Sequence, residues 1–300
     1  MARKIVECVP NFSEGKDQKI IDAILSEIKS VPGITVLSSL ADADHNRLDV
    51  SYLGEPDAVK TAAFAACKIA STLIDMEKHH GQHPRMGATD VIPFIPIQNV
   101  SMDECVQYAN EVGRKIGDEL RIPVYLYESA AKTPARTNLA DVRRGEYEGI
   151  KADFESNPAR KPDYGPSIMH PSAGFTGVCA RMPLVAFNVN LATTDVSIAK
   201  AIAKAVREKD GGLKCVKAMG FDIKERGIVQ VSMNLTNYLE TPIFKAFEAV
   251  KAEAQKHGVN IIESEIVGMV PLQALSDTAD FYLRLEKFKS DQIIEARLIE

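Results

Sequence analysis

The spacing of apolar side chains predicts that strands and helices alternate along the chain. Ile20, Ile24 and Ile28 fall on one face of a helix, whereas Leu48 and Val50 alternate with polar residues as in a half-buried strand. In the first half, the pattern predicts strands at 4–10, 34–40, 47–53, 91–97 and 123–127 and helices at 17–30, 56–75 and 101–119. In the second half, it predicts strands at 184–191, 216–221, 228–235 and 260–267 and helices at 195–207, 242–257 and 271–281. Both halves therefore share one order: strand, helix, strand, strand, helix, strand, helix.

This shared order predicts a duplicated α/β protein. The central helix of each half begins with a proline, Pro56 or Pro242, which is the favoured first helical position. We expect two subdomains of similar βαββαβ-like topology, residues 1–180 and 181–300, with mostly antiparallel sheets, helices packed on one face and a ligand cleft between them. Coincidence is the alternative, since strands and helices alternate in most α/β chains.

The pattern dissolves between residues 128 and 182, apart from a short helical piece at 138–144. This segment is rich in proline, glycine and arginine, and we expect a long functional loop. Its basic residues predict an anionic ligand, or else a solvated face.

Composition adds limits on function. Apolar residues make up 45% and charged residues 26% of the 300-residue chain, as in soluble globular proteins. The net charge of −5 gives no electrostatic reason to expect a nucleic-acid partner. No apolar run suggests a signal peptide or a membrane helix. Five scattered cysteines indicate reduced thiols in a cytoplasmic protein.

Residues 76–90 form a polar loop between a predicted helix and a predicted strand, which is where sites are commonly built. The loop holds three of the six histidines, His79, His80 and His83. Their spacing would suit zinc on a helix, but Pro84 argues against a helix and no cysteine is nearby, so we expect no metal. We expect His79 and His80 to lie on the surface without a role.

General base catalysis by His83 fits this loop best, because imidazole titrates near neutral pH. Arg85 could clamp a carboxylate and Asp90 could orient the imidazole. His45, in the acidic turn 42–47, belongs either to a solvated turn or to a second wall of the same site. The usual serine-hydrolase elbow and phosphate-binding loop are absent from the sequence, which removes the common hydrolase and kinase interpretations.

Several long motifs resemble the glutamate formimidoyltransferase (formiminotransferase) family. They are VECVPNFSEG (6–15), HPRMGA (83–88), PFIP (93–96), PVYLY (123–127), GEYE (145–148), DYGPS (163–167) and AFNVNL (186–191). The resemblance extends over essentially the whole chain, and it is to the single-function form without a cyclodeaminase domain.

The resemblance implies transfer of a formimino group from N-formimino-L-glutamate to N5 of tetrahydrofolate, the co-substrate, in histidine degradation and one-carbon metabolism. It implies that His83 is catalytic and that the protein is a cytoplasmic homodimer acting on folate, with or without a polyglutamate tail. The expected substrate- and folate-binding residues are Asn11, Arg47, Arg85, Gly87, Asp90, Gly165, Pro166, Ser167, Ile168, Met169, His170, Pro171, Ser172, Ala173, Gly174 and Arg181. The alternatives are formyl transfer, an activity on 5-formyltetrahydrofolate, or folate binding without catalysis.

The chain departs from the family at Leu40, where an acidic residue is frequent. Asp42 or Asp44 could take its place, so the residue that orients His83 stays open.

Overall fold

The computed structural model describes residues 3–289, 292–294 and 296, and the chain divides into two compact units, Met1–Arg181 and Met182–Glu300. The strands are β1 (Ile5–Cys8), β2 (Asn11–Phe12), β3 (Thr35–Asp42), β4 (Arg47–Gly54), β5 (Thr89–Gln98), β6 (Val124–Glu128), β7 (Thr176–Ala180), β8 (Val185–Leu191), β9 (Val216–Ile223), β10 (Ile228–Leu235) and β11 (Ile261–Val267). The helices are α1 (Gln18–Lys29), α2 (Pro56–Leu73), α3 (Met102–Lys115), α4 (Leu139–Val142), α5 (Glu146–Asp153), α6 (Val196–Val206), α7 (Ile243–Lys256) and α8 (Leu272–Leu283).

The first unit contains a seven-stranded mixed sheet. β1 and β2 follow one another between β4 and β5 and are antiparallel to both, while β3 pairs with the outer side of β4. On the other side, β7 lies between β5 and β6 and is parallel to both. This arrangement places the end of β2 next to the starts of β4 and β5, where the candidate site is found.

Helices α1, α2 and α3 cover one face of this sheet. Asp17 begins α1 by accepting a hydrogen bond from the Lys19 backbone, and Ser101 forms a reciprocal capping box with Glu104 at the start of α3. The buried face of α2 consists mainly of alanine, which lets the helix approach the sheet closely. The shared core includes Val6, Cys8, Phe12, Ile24, Ile28, Leu48, Val50, Tyr52, Ile92, Phe94, Leu126 and Val178.

The second unit contains a four-stranded, wholly antiparallel sheet in the order β11–β8–β10–β9. The first unit has the same order in β5–β1–β4–β3. Helices α6 and α7 bury Ile202, Val206, Ile243 and Val250 with the apolar residues of this sheet. The predicted α/β class with two subdomains of related topology is therefore confirmed.

The prediction that residues 128–182 lack regular structure is wrong in two places. β7 is buried along its whole length inside the sheet, and α5 follows the predicted helical piece. Glycine fits position 177 of β7, because the Cβ atom of a larger residue there would lie 2.7 Å from Met86 Cε. A strand buried on both faces has no alternating pattern, which explains why periodicity did not reveal it.

All five cysteines are free thiols, and four of them are buried. Of the helices in the described ranges, none combines the length and apolar character needed to cross a membrane.

Candidate active site

An open pocket lies in the first unit where the histidine loop meets the end of β2 and the start of β4. It is lined by Asn11, Phe12, Ser13, His45, Asn46, Arg47, His79, His83, Arg85 and Asp90. Five of these residues are among those that the sequence singles out for catalysis or binding. The interpretation of His45 as part of a second wall is the one that the structure supports.

Asn46 joins the turn after β3 to the histidine loop. Its backbone adopts φ 49°, and its side-chain amide donates to the carbonyl of His80 at 3.0 Å. Its own carbonyl accepts from His79 Nε2 at 3.0 Å. Gly81 packs so closely against the turn that a Cβ atom would lie 2.2 Å from the carbonyl oxygen of His45. The two segments are therefore held in a fixed relation to each other.

His79 is buried, so the expectation that it lies on the surface without a role is wrong. Because Nε2 donates to Asn46, Nδ1 carries the lone pair and accepts from Arg85 Nε at 3.3 Å. Burial lowers the pKa of His79, which favours the same neutral tautomer. His80 is exposed, as expected.

Arg85 pairs with two carboxylates of the protein itself. Nη1 donates to Glu146 at 3.0 Å and to Glu148 at 2.8 Å, and Nη2 also donates to Glu148. The bond to Glu148 and the charges of both glutamates raise the pKa of Arg85. Since Glu146 and Glu148 lie in the first turn of α5, Arg85 fastens the histidine loop to that helix.

Asp90 is 2% exposed and also has protein partners. Its carboxylate accepts from the Met86 backbone at 2.9 Å and forms an ion pair with Arg143. Burial raises the pKa of Asp90, and the Arg143 guanidinium opposes that rise. Asp90 therefore shapes the turn that follows His83 and holds Arg143 near the pocket.

His83 is a neutral imidazole at physiological pH. Burial and then the positive charges of Arg47 and Arg143 lower its pKa to about 4. Within the described ranges no carboxylate hydrogen-bonds to its ring; of the two candidates on the turn, Asp42 bonds to His45 instead, at 2.8 Å. A neutral imidazole with a free lone pair can accept a proton from a bound nucleophile.

Arg47 belongs to a polar cluster on the open face of the first sheet. Arg47 donates to Asp49 at 2.9 Å and also to the Asn11 side-chain oxygen, while Asn11 donates to Asp49 at 3.0 Å. Burial raises the pKa values of Asp49 and Glu7, and the positive charge of Arg181, directly after β7, opposes that rise at both carboxylates. The structure thus brings Asn11, Arg47 and Arg181 together.

The segment from Gly165 to Gly174 ends beside the histidine loop. Ala88 donates to the Ala173 carbonyl at 2.9 Å, and Gly87 forms a bridge with Gly174. A Cβ atom on Gly87 would lie 1.8 Å from the Phe175 carbonyl oxygen. Close backbone approach explains why glycine occurs there.

The rest of this segment lies farther along the surface of the first unit. Ile168 is exposed, and His170 Nδ1 accepts from the Ala173 backbone at 3.0 Å. The Ser172 carbonyl accepts from the Met76 backbone at 2.8 Å. None of residues 165–174 lines the pocket around His83.

Sequence reasoning did not find the roles of Asp49, Arg143, Glu146 and Glu148. Asp49 could have been found, because it shares one face of β4 with Arg47. The pairing of the other three with the histidine loop spans more than fifty residues and has no sequence signal. In the part of the chain that the structure describes, no group of three or more histidine, cysteine or acidic side chains is arranged to hold a metal ion.

The fold and the pocket define a duplicated α/β protein with a half-buried imidazole near guanidinium groups. The family model described as formiminotransferase domain, N-terminal subdomain, matches residues 5–181, and the formiminotransferase domain model matches residues 186–300. The chain belongs to the formiminotransferase family.

Relatives from distant organisms agree with this. The chain is 49% identical to a glutamate formimidoyltransferase of Streptococcus pyogenes serotype M1, over 99% of both chains. It is 46% identical to a glutamate formimidoyltransferase of Thermoplasma acidophilum, over 98% of this chain and 97% of the relative. It is 44% identical to formimidoyltransferase-cyclodeaminase of Mus musculus, over 95% of this chain and 53% of the relative.

Proposed function

We propose that this protein is an enzyme that transfers the formimino group of N-formimino-L-glutamate to N5 of tetrahydrofolate. The products are 5-formiminotetrahydrofolate and L-glutamate, as in histidine degradation and one-carbon metabolism. Membership of the family and the names of its relatives support this reaction. The observation that carries the mechanism is the neutral His83 imidazole in a pocket with Arg47 nearby.

The proposed reaction begins when N5 of tetrahydrofolate attacks the amidine carbon. His83 accepts the N5 proton as the tetrahedral intermediate forms, and the glutamate nitrogen then takes up a proton as its bond to carbon breaks. A pKa of about 4 keeps His83 unprotonated, and therefore competent as a base, throughout the physiological range.

Positive charge around the pocket supports binding of anionic substrates. Arg47 lines the pocket, Arg143 is close enough to affect His83, and Arg181 lies on the same sheet face as Arg47. We assign to these guanidinium groups the carboxylates of formiminoglutamate and of folate. Arg85 has a positioning role in this scheme, because both of its terminal nitrogens already bind Glu146 or Glu148. Arg47 and Arg143 each bond to the protein through Nη2.

The proposal also includes the predicted folate-binding stretch, residues 165–174. Its support is the backbone pairing of Ala173 and Gly174 with Ala88 and Gly87, directly after the proposed base. The catalytic role of the first unit, a homodimer, a cytoplasmic location and the lack of a metal requirement rest on the family resemblance.

The test is the rate of 5-formiminotetrahydrofolate formation by His83→Ala, with His80→Ala as the control. His80 is exposed, and only its backbone carbonyl takes part in the loop contacts. We expect His83→Ala to lose about 100-fold or more in kcat, as for other general bases, with tetrahydrofolate affinity nearly unchanged. His80→Ala should keep the full rate.

A wild-type rate in His83→Ala would refute the assigned base. Faster turnover with a formyl donor than with formiminoglutamate would favour the formyl-transfer alternative. Tight folate binding without turnover of any donor would favour a non-catalytic folate-binding protein. Dialysis against a chelator should leave the rate unchanged.

A further inference from the structure

His45 forms a pair with Asp42 at the rim of the pocket that holds His83. Its Nδ1 is 2.8 Å from Asp42 Oδ2, and the backbone amides of Asp44 and His45 donate to Asp42 Oδ1 at 2.9 Å. Asp42 is thus fixed by three hydrogen bonds. Because the carboxylate accepts the Nδ1 hydrogen, Nε2 is the ring nitrogen of His45 that remains available to a molecule in the pocket.

The position of this pair relative to His83 is fixed by the contacts between the two loops. Asn46, next to His45, bonds to His79 and His80, and Gly81 touches the His45 carbonyl. His45 and His83 also line the same pocket, and they lie close enough for their charges to interact. The site therefore presents two imidazoles from two connected loops.

The two imidazoles have neighbours of opposite charge. His45 has the Asp42 carboxylate as a direct partner, and Asp44 on the same turn. The charged and titratable groups that face it across the pocket are Arg47 on β4, His79, His83 and Arg85 on the histidine loop, Asp90 at the start of β5, and Arg143 next to His83. A carboxylate therefore lies against the ring of His45, whereas burial and then the guanidinium groups of Arg47 and Arg143 lower the pKa of His83.

We propose that His45, held by Asp42, is the catalytic acid that protonates the departing glutamate nitrogen while His83 acts as the base. This assignment rests on the proposed formimino transfer. An alkylamine is a poor leaving group as an anion, so its nitrogen needs a proton before or as the bond to carbon breaks.

The proton transfers balance over one turnover. The lone pair of N5 forms the new bond to carbon while the carbon–nitrogen π pair moves to the imino nitrogen, and that pair forms the double bond again when the glutamate nitrogen leaves. The N5–H bond breaks, its electron pair stays on N5, and the proton joins His83. The imidazolium Nε2–H bond of His45 breaks and its proton joins the glutamate nitrogen, which also takes the electron pair of the broken carbon–nitrogen bond. His83 then holds one extra proton and His45 lacks one, and exchange through water restores both.

The test compares two donors that differ in the basicity of the leaving amine. One is formiminoglutamate, and the other is its 3,3-difluoroglutamate analogue, which is nearly isosteric but releases a less basic amine. We expect His45→Ala to lower kcat about 100-fold with the natural donor, in the range of general acid catalysis, and only a few-fold with the fluorinated donor. The loss in His83→Ala should be equally large with both donors.

The pH profile of kcat provides a second measurement. His45→Ala should lose the alkaline decline that deprotonation of the acid causes and should keep the acidic decline that belongs to His83. Asp42→Asn should lower kcat by about 10-fold, because the introduced amide can still accept from Nδ1 but no longer supplies the negative charge. Asp44→Asn is the matched control and should behave as wild type, since the contact of Asp44 to this cluster is through its backbone.

Three outcomes would overturn the assignment: a wild-type rate in His45→Ala, an equal loss with both donors, or an unchanged alkaline limb. An equal loss with both donors would mean that His45 only supports the loop. Absence of turnover by the unaltered protein with either donor would instead refute the proposed function, and the role of His45 with it.

Discussion

Replacing Arg143 by glutamine probes stability and catalysis at once. Asp90 is 2% exposed, and Arg143 is its charged partner, so Arg143→Gln leaves a buried carboxylate with only the Met86 amide as an observed donor. Removing one member of a buried ion pair costs about 3–5 kcal/mol. That is a large fraction of the roughly 5–15 kcal/mol by which most domains are stable.

Arg143→Gln should also change the pKa of His83, the proposed base. Arg143 is one of the charges that lower the pKa of His83 to about 4, so its removal should raise that pKa and move the acidic limb of kcat/KM to higher pH. The loss of stability should be larger at pH 8 than at pH 5. The unpaired Asp90 has a raised folded-state pKa, and such a group destabilises the fold as pH rises through and above its unfolded-state value.

Urea denaturation followed by circular dichroism measures the first effect, and initial rates between pH 4 and 8 measure the second. Arg144→Gln is the control, because the Arg144 side chain is 77% exposed and its pair with Asp141 lies on the surface. It should cost less than about 1 kcal/mol. The double variant Asp90→Asn/Arg143→Gln should recover much of the lost stability. Equal behaviour of Arg143→Gln and Arg144→Gln would refute the reasoning.

Three further predictions concern pH, packing and thiols. For the unaltered protein, kcat/KM should decline as pH falls through about 4, because protonation then removes the His83 base; a decline centred near the ordinary histidine value of about 6.5 would contradict the burial and charge argument. Gly87→Ala should lower the urea midpoint strongly, since its Cβ would lie 1.8 Å from the Phe175 carbonyl oxygen, whereas Gly149→Ala, with open space around it, should not. Alkylation of the native protein followed by mass spectrometry should label Cys215 first, because the other four cysteines are buried; early labelling of those four would refute their burial.

Regular elements of this fold were predictable from the spacing of apolar residues or from continuous apolar runs. Helix α1 buries Ile21, Ile24 and Ile28 and exposes the residues between them, and β4 alternates in the same way. β5 and β6 are also buried, but they are runs of large apolar residues. β7, with the sequence TGVCA, neither alternates nor forms such a run.

The site was predictable to the extent that its residues are neighbours in the sequence. His83 and Arg85 belong to one motif, and their position in a polar loop between two apolar elements identifies them as candidate site residues. The partners of Arg85 are about sixty residues away in the sequence. The sequence therefore does not distinguish an arginine that pairs with carboxylates of the protein from one that binds a substrate. Only the folded chain shows that His79 is buried and hydrogen-bonded to Asn46 and Arg85. The same holds for the position of His45, which lines the same pocket as His83.

The position of β7 has a consequence for the order of synthesis. β5 and β6 do not pair with each other; β7 lies between them, and its first pairing joins Val91 to Gly177. A nascent chain that has not yet reached β7 has no strand to pair β6 with the sheet, and the backbone of the histidine loop lacks its partner at Ala173. Closing so long a loop costs conformational entropy before the contacts compensate for it. The pocket should therefore form late, after the ribosome has released nearly all of the first unit.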